Sequence, residues 1–279
     1  MATIAVLGLG LLGSGFVENL VRKGNTVRVW NRSASKAAPL VALGATLADS
    51  PADAVRGAER VHLILAEDPA VDAVIDALLP GLGDGVPVVD HSTNLPERVA
   101  ARSPRLRAMG VRYLHAPVFM SPANAKEGSG IMLIAGPSAE VDALRPGLLT
   151  MTGRLDHTSE RPDHAAVLKI VGNGLLIALT GTMGDLFQVA AGAGVSTADV
   201  LRLFAGFAPS PGYIGGRLLA AGDHPASFEL TMARKDVRLM IASAGGPDAL
   251  QVLPALATAM DRAIEAGQGA MDFAVFARR

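Results

Sequence analysis

The chain has 279 residues, of which 50% are hydrophobic and 18% charged; it can bury a large core and is too apolar for a disordered protein. Its formal net charge is -1, with no block of like charges and 4% aromatic residues, so neither a nucleic-acid partner nor an anionic membrane surface is expected. Cysteine is absent, which excludes disulfides, thiolate metal sites and a cysteine nucleophile.

The first apolar segment resembles a secretory signal in composition only. Residues 4–17 are uncharged, but no basic stretch precedes them and glycines interrupt them. A strand that runs into a glycine turn explains this pattern better. Since no uninterrupted apolar stretch approaches the ~20 residues of a spanning helix, we expect a cytoplasmic protein without a membrane segment.

Short β-rich runs alternate with helical stretches through the first half of the chain. The predicted strands are Thr3–Leu7, Thr26–Trp30, Arg60–Leu65, Val86–Asp90, Arg112–Ala116 and Gly130–Ala135. The predicted helices between them are Ser14–Lys23, Ser35–Leu43, Pro69–Leu79 and Pro96–Met109. This alternation predicts right-handed βαβ units and a doubly wound, mostly parallel sheet with helices on both faces.

The strand pattern ends near residue 160. A long helix is predicted over Asp163–Ala193, and shorter helices are predicted over Ser196–Phe204, Gly215–Ala221, Phe228–Ser243 and Gln251–Glu265. We therefore expect an α/β domain over residues 1–162, an interdomain helix over 163–193 and an all-α domain over 194–279.

A glycine-rich turn lies between the first strand and the first helix. It contains Gly8, Gly10 and Gly13, with Leu11 and Leu12 between the last two glycines. Glycines there allow a tight turn, let the backbone approach a pyrophosphate and let helix and strand pack closely. The helix amino terminus adds unpaired N–H groups for the phosphates. At the first strand of a βαβ unit, this turn predicts a Rossmann domain that binds a dinucleotide.

The end of the second strand indicates which dinucleotide binds. An acidic residue there would pair with the ribose hydroxyls of NAD, but this chain has Asn31, Arg32 and Ser33. Arg32 can bind the 2′-phosphate of NADP, with its two neighbours supplying polar contacts, so NADP(H) is the expected cofactor. An exposed turn without a ligand is the alternative. Leu65 and Ala66 are also expected to line the cofactor, and the only reason is their position after the third strand.

Further motifs occur in a specific order along almost the whole chain. They are Asp90-His91-Ser92-Thr93 with Pro96, Ala116-Pro117-Val118, Lys169 with Asn173, Lys235-Asp236, and Gly267-Gln268-Gly269 with Asp272-Phe273. With the glycine turn, they make the chain resemble the β-hydroxyacid dehydrogenase family, which includes 3-hydroxyisobutyrate dehydrogenase. Imine reductases are structural relatives of that family.

The resemblance implies that Lys169 is the catalytic acid/base. The residues agree, since Lys169 is the only lysine in a long apolar helical run and Asn173 lies on the same helix face. An ammonium beside a substrate carbonyl supplies a proton and stabilises the developing alkoxide. Asn173 would orient the lysine or the substrate hydroxyl. A lysine whose charged end reaches solvent at a helix surface is the alternative.

Three further residues enter by the same resemblance. Thr93 matches a position that contacts the cofactor, and Lys235 matches a lysine that reaches towards the cofactor and substrate. Asp236 beside it is expected to contact the substrate. The alternatives are a helix cap at Thr93 before Pro96, and a solvent-exposed Lys235–Asp236 charge pair.

The sequence departs from the family after Ala116-Pro117-Val118. The family usually carries Ser-Gly-Gly there, which holds a substrate carboxylate, whereas this chain has Phe119, Met120 and Ser121, followed by Pro122 and Asn124. A phenyl ring cannot bond a carboxylate and proline has no N–H. Ser121 and Asn124 could still contact substrate, but we expect a more apolar pocket and a bulkier or uncharged carbonyl. The alternative is a repacked loop that keeps the carboxylate site.

Two other functions remain open from the sequence. An apolar pocket suits cyclic imines, although a protonated lysine repels a cationic iminium. A non-catalytic NADP-binding protein is the other, although binding needs neither the lysine nor Asn173. No metal site is expected, because the six histidines have no ligand spacing. By its apolar long helix and its family resemblance, we expect a homodimer whose active site lies in the cleft between the domains.

Overall fold

The computed structural model describes residues 1–207, 209–223 and 225–278. The chain divides into two compact units, Met1–Asn173 and Gly174–Arg279, and the boundary falls inside the long helix. The division differs from the expected one because this helix belongs partly to each unit; the functional domain limits at residues 162 and 193 stay predictions. His224, one of the six histidines, lies outside the described residues.

The first unit is built on a sheet whose strands run β3-β2-β1-β4-β5-β6-β8-β7, with β9 beside β8. The strands are β1 (Thr3–Leu7), β2 (Thr26–Trp30), β3 (Thr46–Leu47), β4 (Arg60–Leu63), β5 (Pro87–Asp90), β6 (Arg112–His115), β7 (Val118–Phe119), β8 (Ile131–Ala135) and β9 (Arg154–Ser159). Pairing is parallel except where β8 meets β6 and β7. The expected mostly parallel, doubly wound sheet is confirmed.

Helices cover both faces of this sheet. They are α1 (Leu11–Arg22), α2 (Ala38–Ala42), α3 (Pro51–Val55), α4 (Asp68–Leu78), α5 (Pro96–Ala108), α6 (Pro122–Glu127) and α7 (Ser138–Leu148). Because side chains alternate along a strand, Val6 of β1 packs with Phe16 of α1 in one core. Leu7 packs in the other core with Ile75 of α4. A large apolar side chain buried this way contributes about 2 kcal/mol.

The long helix α8 (His164–Gly192) begins in the first unit and ends in the second. Further helices complete the second unit: α9 (Thr197–Gly206), α10 (Pro211–Ala220), α11 (Leu230–Ser243) and α12 (Leu253–Ala263). Their core gathers buried side chains such as Leu230 and Val237 of α11 with Met260 of α12. The expected change from an α/β region to a helical region is confirmed.

Helix α8 is long and apolar over most of its length. By length and composition it could cross a membrane, and most of its apolar stretch is exposed. The sequence interpretation did not expect such a segment, because Lys169 and Asp185 interrupt its apolar runs. Both charges bond to protein groups. The Lys169 ammonium donates to Val118 O in the first unit, and the Asp185 carboxylate accepts N–H bonds within the second.

Candidate active site

In the turn between β1 and α1, two glycines are required by close backbone contacts and the third faces open space. Gly8 has a positive φ of 104°, and a Cβ there would lie 2.1 Å from Ile64 O. A Cβ on Gly13 would lie 2.0 Å from Gly8 O, so this glycine lets α1 pack against the turn. A Cβ on Gly10 would meet nothing within 4 Å. Gly10 precedes α1 and leaves open space in front of the helix amino terminus, where a phosphate can approach the backbone.

A cleft of about 760 Å³ opens from this turn along the carboxyl ends of β1, β2, β4 and β5. It is lined by ten of the twelve residues expected to hold the cofactor, namely Gly8, Gly10, Leu11, Leu12, Asn31, Arg32, Ser33, Leu65, Ala66 and Thr93. Gly13 lies behind the turn, and Lys235 belongs to the second unit. The glycine cradle, its open space and the volume of the cleft fit a dinucleotide.

At the end of β2 the cleft is polar and basic. Asn31 Oδ1 accepts a hydrogen bond of 3.0 Å from Leu9 N, so this side chain holds the glycine turn in place. Arg32 and Ser33 are exposed on the cleft wall. Lys36 lines the same cleft and was missed from the sequence, although its position one helical turn after Arg32 could have indicated it. The two cations offer a place for an extra phosphate.

Beneath the cleft lies a buried chain of histidines that the sequence did not reveal. Arg60 Nε donates to His62 Nε2 at 2.7 Å, which leaves His62 Nδ1 to donate to His91 Nε2 at 2.8 Å. His91 Nδ1 then donates to Ala116 O at 2.6 Å. Burial lowers the pKa of His91 to about 4, and burial followed by Arg60 keeps the pKa of His62 well below its usual value. Both rings are therefore neutral, and they fix the start of the Ala116-Pro117-Val118 segment.

Lys169 is buried at the end of that segment. Its ammonium donates to Val118 O at 2.7 Å and to Asn173 Oδ1 at 3.0 Å. Val118 is two residues beyond Ala116, whose carbonyl accepts from His91 of the cleft wall. Burial lowers the pKa of the Lys169 ammonium from its usual value. The expected pairing of Lys169 with Asn173 is present, and the lysine does not extend into solvent.

The ring of Phe119, in β7, lies over the same ammonium, with Nζ 4.3 Å from the ring centroid. Met120 follows it and packs against the first core. The next residues form a reciprocal cap on α6: Asn124 N donates to Ser121 Oγ at 3.2 Å, and Ser121 N donates to Asn124 Oδ1 at 2.9 Å. The polar groups expected to contact substrate in this loop are therefore already bonded to one another.

The α6 loop is held against the cofactor-binding helix. A Cβ on Gly15 of α1 would lie 2.8 Å from Pro122 O, so the two helices pack at a glycine. Asn19 Nδ2 donates to Ala125 O at 3.2 Å, and Lys126 pairs with Glu18 at 2.6 Å. The position of the loop after β7 is thus coupled to the turn that faces the cleft.

The remaining expected site residues lie apart from this cluster in the chain. Thr93 lines the cleft and is exposed; the residue that precedes α5 is Leu95, whose N–H is bonded by Asp68, so Thr93 does not cap the helix. In the second unit, Lys235 Nζ lies 3.0 Å from Asp236 Oδ1, and both side chains are well exposed. The roles of this pair stay predictions. Across the described residues, no group of three His, Asp or Glu side chains could hold a metal ion.

Comparison with known proteins places these features in context. A family model described as the NAD binding domain of 6-phosphogluconate dehydrogenase matches residues 3–159. An uncharacterized oxidoreductase, YfjR, from Bacillus subtilis (strain 168) is 30% identical, over 97% of both chains. A 3-hydroxyisobutyrate dehydrogenase from Pseudomonas aeruginosa is 29% identical, over 92% of this chain and 90% of its own.

Among solved structures, an imine reductase from Streptomyces aurantiacus superposes with a TM-score of 0.86 and 26% identity, over 99% of this chain and 98% of its own. The likeness therefore extends through both units. This solved relative is named for the reduction of imines, whereas the Pseudomonas aeruginosa relative is named for a hydroxy acid.

Proposed function

Since the chain belongs to the β-hydroxyacid dehydrogenase family of nicotinamide-dependent oxidoreductases, we propose that it is an NADPH-dependent carbonyl reductase with Lys169 as general acid. The substrate class is a β-hydroxy acid with its semialdehyde or keto partner, or a bulkier, less polar relative. The observation that carries the proposal is the buried ammonium held between Val118 O and Asn173 Oδ1. Among the residues that the structure describes, no carboxylate pairs with this ammonium to explain its burial.

The choice of NADP over NAD is supported by charge at the end of β2. Arg32 and Lys36 line the cleft there, and residues 31–36 contain no acidic side chain to hold the ribose hydroxyls of NAD. The glycine turn would hold the pyrophosphate and Arg32 the 2′-phosphate. When bound, the coenzyme supplies or accepts the hydride.

Lys169 handles the proton in this scheme. Two of its three N–H bonds are taken by Val118 O and Asn173 Oδ1, so the third is left for the substrate oxygen. During reduction the Nζ–H proton moves to the developing alkoxide, and the amine that remains is neutral. In the reverse direction the neutral amine takes the hydroxyl proton. A pKa lowered by burial makes the ammonium a stronger acid for reduction, and it raises the fraction of neutral amine that is available for the reverse reaction.

The proposal is tested by NADPH consumption across β-keto and semialdehyde acids, their esters and cyclic imines. Lys169→Ala should lower kcat for carbonyl reduction by about a hundredfold or more and leave NADPH binding nearly unchanged. Lys23→Ala, at the surface end of α1, serves as the matched control. Undiminished turnover in Lys169→Ala would remove this residue from the mechanism. Arg32→Ala should weaken NADPH more than NADH, and a parent that prefers NADH would contradict the phosphate assignment.

Imine reduction is the second candidate, favoured by the likeness to the Streptomyces aurantiacus imine reductase and by the ring of Phe119. A protonated Lys169 beside a cationic iminium would be repulsive, so carbonyl reduction ranks first. Faster turnover of cyclic imines than of every carbonyl in the same screen would reverse this ranking. A non-catalytic NADP-binding protein needs no buried lysine, and NADPH binding without turnover of any compound would favour it.

We further propose a cytoplasmic homodimer that acts on small molecules, without a nucleic-acid or membrane partner. The near-neutral charge and the lack of a basic block support the absence of a nucleic-acid partner. Exposed leucine and isoleucine side chains along α8 supply an apolar surface for a second copy.

A further inference from the structure

The ring of Phe119 occupies one side of the Lys169 ammonium. Nζ lies 4.3 Å from the ring centroid, close enough for a cation–π attraction. The hydrogen-bond acceptors of this ammonium, Val118 O and Asn173 Oδ1, are both neutral. An anionic substrate group that approaches the ammonium from this side would therefore contact an apolar ring. The ammonium itself has at most one N–H still available for such a group.

The ring is fixed by its neighbours. Phe119 pairs with Ile131 across β7 and β8 and packs in a small cluster with Leu133 and Ala165. The far edge of the ring lies against the backbone of α8, because a Cβ on Gly172 would lie 2.4 Å from the ring atom Cζ. Only glycine at this place in α8 lets the ring lie where it does. The ring position is thus built into the packing of strand against helix.

The loop that follows Phe119 offers little to an anion. The amides of Ser121 and Asn124 and the hydroxyl of Ser121 are bonded within the α6 cap, and Pro122 has no N–H. Asn124 Nδ2 donates to Ser129 Oγ at 3.0 Å. A carboxylate placed here would lose water without gaining the several charge-assisted hydrogen bonds that offset its desolvation.

From this geometry we propose that Phe119, packed against Gly172, determines the substrate class by shielding the Lys169 ammonium from carboxylates. The enzyme then reduces uncharged carbonyl compounds with an apolar or aromatic substituent, such as keto esters, in preference to the corresponding acids. The inference rests on the proposed carbonyl reductase activity. The part of the half-buried ring that stays accessible packs against the substituent, while the remaining N–H of Lys169 reaches the carbonyl oxygen.

The test compares a β-keto acid with its own methyl ester, two substrates that differ only in the charged group. The parent enzyme should prefer the ester in kcat/KM by about tenfold or more. Phe119→Ser removes the ring and adds a hydroxyl, and should lower the ester-to-acid ratio by at least about tenfold. Phe119→Leu is the matched control; it keeps an apolar group over the ammonium and should retain the ester preference.

Gly172→Ala is a second, independent variant, because its methyl group would displace the Phe119 ring from its contact with α8. It should shift the ratio in the same direction as Phe119→Ser. A parent that prefers the acid, or a ratio unchanged in Phe119→Ser and Gly172→Ala, would overturn the inference while leaving the reductase proposal intact. If NADPH is oxidised with neither compound nor with any other in the screen, the reductase proposal itself fails.

Discussion

At the scale of single residues, Lys169 predicts opposite pH profiles for the two directions of the reaction. Burial lowers its pKa, so reduction, which needs the ammonium, should slow as pH rises through a value below the ordinary ~10.4 of lysine. Oxidation needs the neutral amine and should speed up through the same value. The measurement is kcat/KM against pH in both directions, from about pH 6 to about pH 10. Profiles that rise together in both directions would rule out this assignment.

The buried histidine pair predicts loss of stability in mild acid. His91 has a pKa lowered by burial to about 4, and burial also lowers the pKa of His62 well below its usual value. A depressed folded-state pKa means that the unfolded chain takes up protons first, so stability is complete above about pH 6.5 and falls as pH falls towards 4. For His91 alone the loss is on the order of 3 kcal/mol.

Thermal unfolding measured from about pH 7.5 to about pH 5 checks this. The parent Tm should fall over that range, and His91→Asn, whose amide can still donate to Ala116 O, should show a weaker pH dependence. His157→Gln changes a half-buried histidine elsewhere in the first unit and should keep the parent's slope. A flat parent curve would show that the two rings do not titrate on unfolding.

At the scale of elements, Asp185 ties α8 to the start of α12. Its carboxylate is buried and accepts from the backbone N–H groups of Gln251, Val252 and Leu253 at 2.6, 2.7 and 2.8 Å. Burial alone would raise its pKa, but these three bonds outweigh burial and lower it. Asp185→Ala would remove the acceptor of these three N–H groups, of which that of Leu253 is buried, and should cost about 2 kcal/mol or more in the free energy of unfolding.

Denaturant unfolding of the whole chain measures that cost. Asp248→Ala, in the exposed turn before α12, removes a carboxylate without buried partners and should change the free energy of unfolding by less than about 0.5 kcal/mol. Equal effects of the two substitutions would mean that the three N–H bonds do not stabilise the second unit.

How far the sequence predicts an element depends on its length and apolarity. The ranges predicted for β1 and β2 match the structure residue for residue, because each short run of strand-favouring residues ends at a glycine or polar turn. The two-residue strands β3 and β7 are too short to show alternation, and β9 is mostly polar, so all three were missed. The short or weakly patterned helices α3, α6 and α7 were missed as well.

The same limit applies to the candidate site. The glycine turn is local in sequence, so its spacing after the first strand indicated it, whereas the Lys169–Asn173 pair was indicated by the family resemblance together with the four-residue spacing. The contact of Phe119 with Lys169 and the bond between His62 and His91 join residues from different elements, which only the fold brings together. The capping of α6 by Ser121 also depended on finding a helix that the sequence pattern did not show.

At the scale of the whole molecule, the proposed homodimer would cover the exposed apolar surface of α8. By length and composition the helix could lie in a membrane, but its Lys169 and Asp185 side chains both bond to protein groups, so two of its faces already pack in a protein interior. Leu176, Ile177 and Leu179 remain exposed in the part that belongs to the second unit. A second copy of the chain could cover these side chains and bury the ~800 Å² per partner of an ordinary stable interface.

Light scattering at micromolar concentration should therefore give the mass of a dimer without detergent. Ile177 is 71% exposed, and Ile177→Glu would place an unpaired charge in the proposed interface, which should weaken association on the order of a hundredfold, since such burial costs about 3 kcal/mol. Leu149→Glu, at an exposed apolar position of the first unit, should leave the mass unchanged. A monomeric parent would contradict the dimer, and partition of the parent into lipid vesicles would instead favour the membrane. We expect the dimer and not the membrane, because α8 also carries charged, protein-bonded side chains that lipid could not solvate.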